Sequence, residues 1–245
     1  MNQQDITSML QDVRKAHRLL FQYQRCVLSI IKEIHKVYDF DQYPLARKRF
    51  SSPLGNKQQF YENKAAQKKN NSIDIKFQKN PDANLGIKDK WAWDFLYTYE
   101  LEYYFGMKKT KEQRCLFSVF QVSDTGYYRQ DGYQIKNNLG KASKTNPETF
   151  WDANESESYL IFVAEVSSDN KPKYFPGVKE YIVNIYGEEA DCKILIADNN
   201  STSALIVKRY PMVRFFDKDG VLDCINDFSS LVKEHTDFVL AKQNI

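Results

Sequence analysis

Residues 5–38, DITSMLQDVRKAHRLLFQYQRCVLSIIKEIHKVY, contain neither glycine nor proline and repeat their apolar positions every seven residues. Ile6, Val13, Leu20, Val27 and Ile34 form one row, and Met9, Ala16, Tyr23, Ile30 and Val37 form the row beside it. Together they make five consecutive a/d heptads, the seam along which helices supercoil. The first row is mostly β-branched, a choice compatible with two-stranded pairing. Leu10, Leu19, Ile31 and Tyr38 widen the stripe, as suits a helix with more than one neighbour. Such a helix is about 50 Å long, whereas a globular chain of this size has a radius of gyration of about 18 Å. The seam therefore predicts a protein partner or self-association, with Ile6, Val13, Leu20, Val27 and Ile34 as the partner-binding residues. A long core helix laid across a sheet explains the same inner face.

Charge divides the chain unevenly. Residues 1–80 carry fifteen Lys or Arg against seven Asp or Glu, while the rest is net acidic. On the helix, Arg18, Arg25 and Lys32 lie opposite the seam, with Arg14, Lys15 and Lys36 beside them. Residues 42–85 then change character: Pro44, Pro53, Gly55 and Pro81 break any helix, leaving one short strand candidate at 72–77. This basic loop or insertion supplies Arg47, Lys48, Arg49, Lys64, Lys68 and Lys69 as nucleic-acid-binding candidates. Contacts of that kind go to phosphates and weaken with salt. A basic insertion with no partner fits equally well.

The body, residues 86–245, reads as strands between short turns. KWAWDFLYTYELEYYF at 90–105 alternates: Trp91, Trp93, Phe95, Tyr97, Tyr99, Leu101, Tyr103 and Phe105 predict a buried face, and Asp94, Glu100 and Glu102 a wet one. Its acidic side argues against base stacking, so the run reads as core. CLFSVFQV (115–122), followed by a hairpin turn at SDTG, SYLIFVAEV (158–166), KEYIVNIYG (179–187), CKILIADN (192–199) and SALIVKRY (203–210) follow. The connections are too short for helical crossovers, which predicts antiparallel meander pairing. A last helix near 219–235 presents Val221, Leu222, Ile225, Phe228, Leu231 and Val232 on one face. The expected fold is α+β: a long N-terminal helix (1–41) and a C-terminal helix packed on a mainly antiparallel sheet, with 42–85 between.

Chemical signatures are sparse. No run of eighteen apolar residues exists, and the opening MNQQDITSML lacks a signal-peptide pattern, so a cytoplasmic setting is expected. Cys26, Cys115, Cys192 and Cys224 have neither CxxC spacing nor histidine partners, which predicts buried free thiols and no metal. GxSxG, Walker A, GxGxxG and HExxH motifs are missing, and no cofactor is implied. Arg14 and Arg25 are wrongly spaced from His17 and His35 for the arginine–histidine pattern of the HEPN ribonucleases. His235 ends the last helix, where a histidine serves the dipole. Glu165 with Asp191-Cys192-Lys193 resembles the acidic-x-Lys signature of the restriction-endonuclease-like nucleases, though the triplet precedes its apolar run. Glu165, Asp191 and Lys193 are thus the catalytic residues of a rival reading, a metal-dependent nuclease. Asp217-Lys218-Asp219-Gly220 matches half of a calcium loop without the later ligands, and reads better as a turn and helix N-cap.

DVRKAHRLLFQYQRCVLSII, with KWAWDF later, resembles small accessory proteins encoded in bacterial phage-defence operons. The resemblance covers about a tenth of the chain, identifies no particular system and attaches no site residues. It implies a non-catalytic subunit acting beside a nuclease or ATPase. The leading expectation is therefore a cytosolic interaction subunit with a basic segment that touches nucleic acid. A metal-dependent nuclease and a stand-alone nucleic-acid-binding protein are the rivals.

Overall fold

The computed structural model describes residues 3–41, 43–48, 100–126, 150, 152–168, 191–196 and 203–241. Helix α1 spans Gln3–Tyr38, and the strands follow as β1 (Leu45–Lys48), β2 (Glu100–Lys109), β3 (Gln113–Val122), β4 (Tyr159–Ser168), β5 (Cys192–Ile196) and β6 (Ala204–Pro211). A short 3-10 turn, Met212–Phe215, leads into the closing helix α2, Lys218–Thr236. The six strands form one antiparallel sheet in the order β1-β2-β3-β4-β6-β5. This is the expected α+β arrangement. The meander is broken in one place, where β6 rather than β5 pairs with β4. The predicted strands at 179–187 and 72–77, and residues 90–99 of the aromatic run, lie outside the described residues.

Strand alternation decides which side chains meet the helices. Leu101, Tyr103 and Phe105 of β2, Cys115, Phe117 and Val119 of β3, and Leu160, Phe162, Ala164 and Val166 of β4 share one face. Onto it pack Val27, Ile30, Ile34 and Tyr38 of α1 and Val221, Ile225, Phe228 and Val232 of α2. Phe117 is the hub. Its ring lies 4.9 Å from Phe105, 5.0 Å from Tyr38, 5.8 Å from both Phe40 and Phe162, and 5.9 Å from Phe228. Tyr38 and Phe162 meet it edge-on and Phe40 stacks on it, geometries that add to the burial. Deep in the same layer, the Tyr38 hydroxyl donates to the Ile225 carbonyl at 2.9 Å, tying the two helices together.

The alternation of β2 breaks at a bulge, where the register slips between Tyr104 and Gly106. Gly106 has φ of 98°, a conformation glycine tolerates and other residues resist. The extra residue reverses the parity beyond it. Lys108 consequently sits opposite Cys115 on the helix side, and Met107 opposite Leu116 on the other. The Lys108 ammonium then donates to the carbonyls of Tyr38 at 3.1 Å and Leu240 at 2.9 Å, pinning the end of α1 to the C-terminal segment. A cation placed there also answers the negative end of the helix dipole.

The second face of the sheet corrects one expectation. Glu100 and Glu102, expected to be wet, are 3% and 5% exposed. Their sheet face is buried across the neighbouring strands as well, at Phe120, Val122, Ile161, Val163, Leu205 and Val207. Burying a carboxylate requires hydrogen-bonded company, and Glu102 accepts one from the Ser118 hydroxyl at 3.0 Å. A second correction concerns the basic segment. Arg47 and Lys48 belong to the edge strand β1, paired with β2 opposite Glu102 and Leu101, not to a loop.

Helix α2 starts as its sequence predicts. Asp217 is the N-cap, its carboxylate accepting from the Gly220 amide at 2.6 Å. Along the helix, Asp227 receives the Lys208 ammonium at 2.6 Å and the Tyr210 hydroxyl at 2.5 Å. Burial alone would raise the Asp227 carboxyl, but these two donors and the charges of Lys208 and Arg214 outweigh it and hold it below its ordinary value. Burial, then the hydrogen bond to Asp227, pushes the Tyr210 hydroxyl well up.

Phe117→Ala should lower the unfolding free energy by about 3–5 kcal/mol in urea titrations, while Phe216→Ala, on the surface, stays within about 0.5 kcal/mol. A carboxylate held low in the folded state stabilises above its unfolded value, and that stability is lost as pH falls through the folded one. Asp227→Asn should therefore lower stability at neutral pH and flatten the loss seen below about pH 4, read from thermal midpoints across the acid range.

Candidate interaction surface

The heptad seam of α1 is continuous, but its surroundings change along its length. From Val27 onward the seam is core: Val27 is 1% and Ile34 0% exposed. These two residues face this chain's own sheet, so their assignment to a partner is corrected. The earlier part of the seam is open. Ile6 is 42% and Leu20 37% exposed, and Met9, Leu10 and Val13 are exposed alongside them. Every side chain from Gln4 to Gln22 is exposed. That stretch corresponds to an overhang of about 28 Å.

A closed polar ring marks the boundary. The Gln24 amide donates to the Tyr103 hydroxyl at 2.6 Å, that hydroxyl donates to Gln121 at 2.8 Å, and the Gln121 amide returns to Gln24 at 3.1 Å. Tyr23 beside it donates to the Ser123 hydroxyl at 3.3 Å. Burial pushes the Tyr103 hydroxyl up to about 12, against the lowering effect of Gln24, so it stays a donor at any physiological pH. The ring fixes where the helix leaves the body.

Next to this exit lies an open hollow of about 360 Å³ lined by Tyr23, Glu157, Pro211, Met212, Val213 and Phe216. Val213 and Phe216 point large apolar side chains into solvent. No periodic pattern marks this feature in the sequence. Its signal was the apolar run Pro211–Phe216, interrupted only by Arg214, between the last strand and the last helix. The hollow meets α1 at Tyr23, directly below the exposed stretch of the helix.

The basic row of α1 is exposed throughout, including Arg14, Lys15, Arg18, Arg25 and Lys32. Lys15 pairs with Asp12 at 3.0 Å on the same helix. Arg49, Lys64, Lys68 and Lys69 lie outside the described residues, as do the side chains of Arg47 and Lys48.

The nuclease candidates are not brought together. Glu165 is level with Leu205 and Leu195, whereas Lys193 is level with Val207 and Asp191 lies beside Arg209. With β6 between them, the Cα atoms of Glu165 and Asp191 are roughly 16 Å apart. The Asp191 carboxylate already accepts from Arg209 at 2.6 Å, and that guanidinium also stands 5.2 Å from the Tyr159 ring centre. Among the described residues no group of three or more His, Cys, Asp or Glu could hold a metal ion. The cysteines are all free, but Cys26 is exposed and Cys192 half-buried, so only Cys115 and Cys224 match the expected burial. His35 stacks on Tyr43 with ring centres 4.7 Å apart, a packing role. No described helix is long and apolar enough to cross a membrane.

The split seam has a direct consequence for stability. In dilute solution, Leu20→Asp should leave the thermal midpoint within about 3 °C of the parent, while Val27→Asp should unfold the chain or cost more than about 3 kcal/mol. Circular dichroism melts of the two variants measure both.

A family model described as PM0109 matches residues 3–82 and 59–237, and the chain belongs to that family, whose function is unknown. No curated protein and no solved structure matches the chain.

Proposed function

We propose that this PM0109-family chain is a non-catalytic interaction subunit whose working surface is the exposed half of the α1 seam, residues 6–20. One observation carries the reading: a single apolar stripe is core at one end and open at the other. An isolated helix of this length is marginal in water, and its stability in proteins comes chiefly from packing an apolar face. The buried half nucleates the helix, and the open half presents Ile6, Met9, Val13 and Leu20 already in order. A partner that packs there loses little of its binding energy to ordering the surface.

The resemblance to accessory proteins of phage-defence operons supports a place in a cytosolic bacterial complex that acts against phage or plasmids. Within it, the exposed basic row of α1, with Arg47 and Lys48, would meet nucleic acid held by the assembly. The separation of Glu165, Asp191 and Lys193 weighs against a nuclease centre.

Cross-linking in the cells that make the protein, followed by recovery of the tagged full chain and mass spectrometry, tests this reading. Cross-links should map to residues 6–20 and disappear in Val13→Asp with the melting curve unchanged. Recovery of the same cross-linked products from Val13→Asp would refute the assignment.

A further inference from the structure

The surface of α1 is complementary to itself, which names its occupant. We infer that a second copy of this chain packs antiparallel against the exposed seam, each helix tip reaching the hollow beside the other's helix exit. The inference rests on the interaction reading above and specifies its partner.

Register matches the open stretch. Antiparallel helices pair an a position with a d position. Ile6 then meets Tyr23 of the second copy, Met9 meets Leu20, and Val13 meets Ala16, with the two-fold axis passing between residues 14 and 15. The two inner layers lie wholly in the stretch that the chain's own sheet leaves uncovered, and the outer layer uses the exposed Ile6 and the part of Tyr23 that its own core leaves accessible. No seam residue is left over, and none is needed from the buried half.

Sterics fix the direction. The body of each chain packs on the seam side of its own helix from Val27 onward. In a parallel pair the two seams face each other over their whole length, so both bodies would claim the space between the helices. Reversing one helix moves the bodies to opposite ends. Charge points the same way. Residues 3–12 carry two aspartates and no basic residue, while 13–25 carry four Lys or Arg. Antiparallel packing sets the acidic turns of one helix beside the basic turns of the other, with Asp5 near the level of Arg25 and Asp12 near that of Arg18. Parallel packing stacks like on like.

Area sets the strength. A helix face about 26 Å long and 10 Å wide has a footprint on the order of 300 Å². That is short of the roughly 800 Å² per partner found in stable interfaces. The tip, continuing past Tyr23 of the second copy, reaches Pro211, Val213 and Phe216 and adds to the contact. The dimer should therefore be reversible and concentration-dependent.

Light scattering on the full chain between about 1 and 100 µM, with cysteine cross-linking, tests the inference. In a Cys26→Ser background, Met9→Cys and Leu20→Cys chains mixed together should oxidise to a heterodimer. Each alone should stay uncross-linked, because residue 9 would lie about 16 Å along the axis from its own copy, beyond disulfide reach. Val13→Asp should halve the scattering mass. A Met9-to-Met9-position disulfide, from Met9→Cys alone, would overturn the antiparallel register. A dimer that survives Val13→Asp would overturn the seam as interface and the interaction reading with it. A monomer at every concentration would overturn the second copy alone. The interaction reading would then be carried by Val13-dependent cross-links to a different protein in cells.

Discussion

A mismatch of lengths organises the molecule. A helix of 36 residues runs about 54 Å, while a ten-residue strand runs about 33 Å. No arrangement of one such helix on one such sheet covers both ends of an apolar stripe that runs the whole way. The buried end fills the core around Phe117, where it meets α2 and the rings of Phe105 and Phe162. The other end has nothing in the described chain to lie on. The Gln24–Tyr103–Gln121 ring stands where one regime gives way to the other, and supplies polar contacts where the apolar ones run out.

Much of this was legible in the sequence because periodicity reports burial. The seven-residue repeat gave α1, the alternation at 101–105 gave the helix-facing side of β2, and Asp217 gave the start of α2. What periodicity cannot report is whose core a stripe enters. Ile6 and Ile34 occupy the same heptad position, and only the tertiary fold separates them. The Gly106 bulge was hidden for a related reason: one inserted residue inverts parity, so Lys108 enters the helix side at a place the pattern assigns to the opposite face. Glu100 and Glu102 misled because a charged residue in an alternating strand is read as wet, whereas here both are buried, Glu102 beside the Ser118 hydroxyl of the next strand.

The candidate site divides along the same line. Ile6, Val13 and Leu20 were readable as apolar positions that a body of this size could not all cover. The hollow at Pro211–Phe216 was not, because a single 3-10 turn has no period to detect. Nor did sequence show how far Glu165 and Asp191 stand apart, since that depends on the order β4-β6-β5 and on the register of three strands.

The absence of glycine and proline from α1 has a geometric outcome beyond helicity. A straight helix drifts about 20° per heptad from a seven-residue stripe. From the middle of the open half to the middle of the buried half is nearly three heptads, which turns one surface about 50° from the other. The unbroken strut thus carries an azimuth as well as a length. Each residue added or removed at the helix exit would rotate the tip by about 100° and shift it by about 1.5 Å, like a hand moved round a clock face. The orientation of anything gripped at the tip is written in the number of residues between Leu20 and Val27.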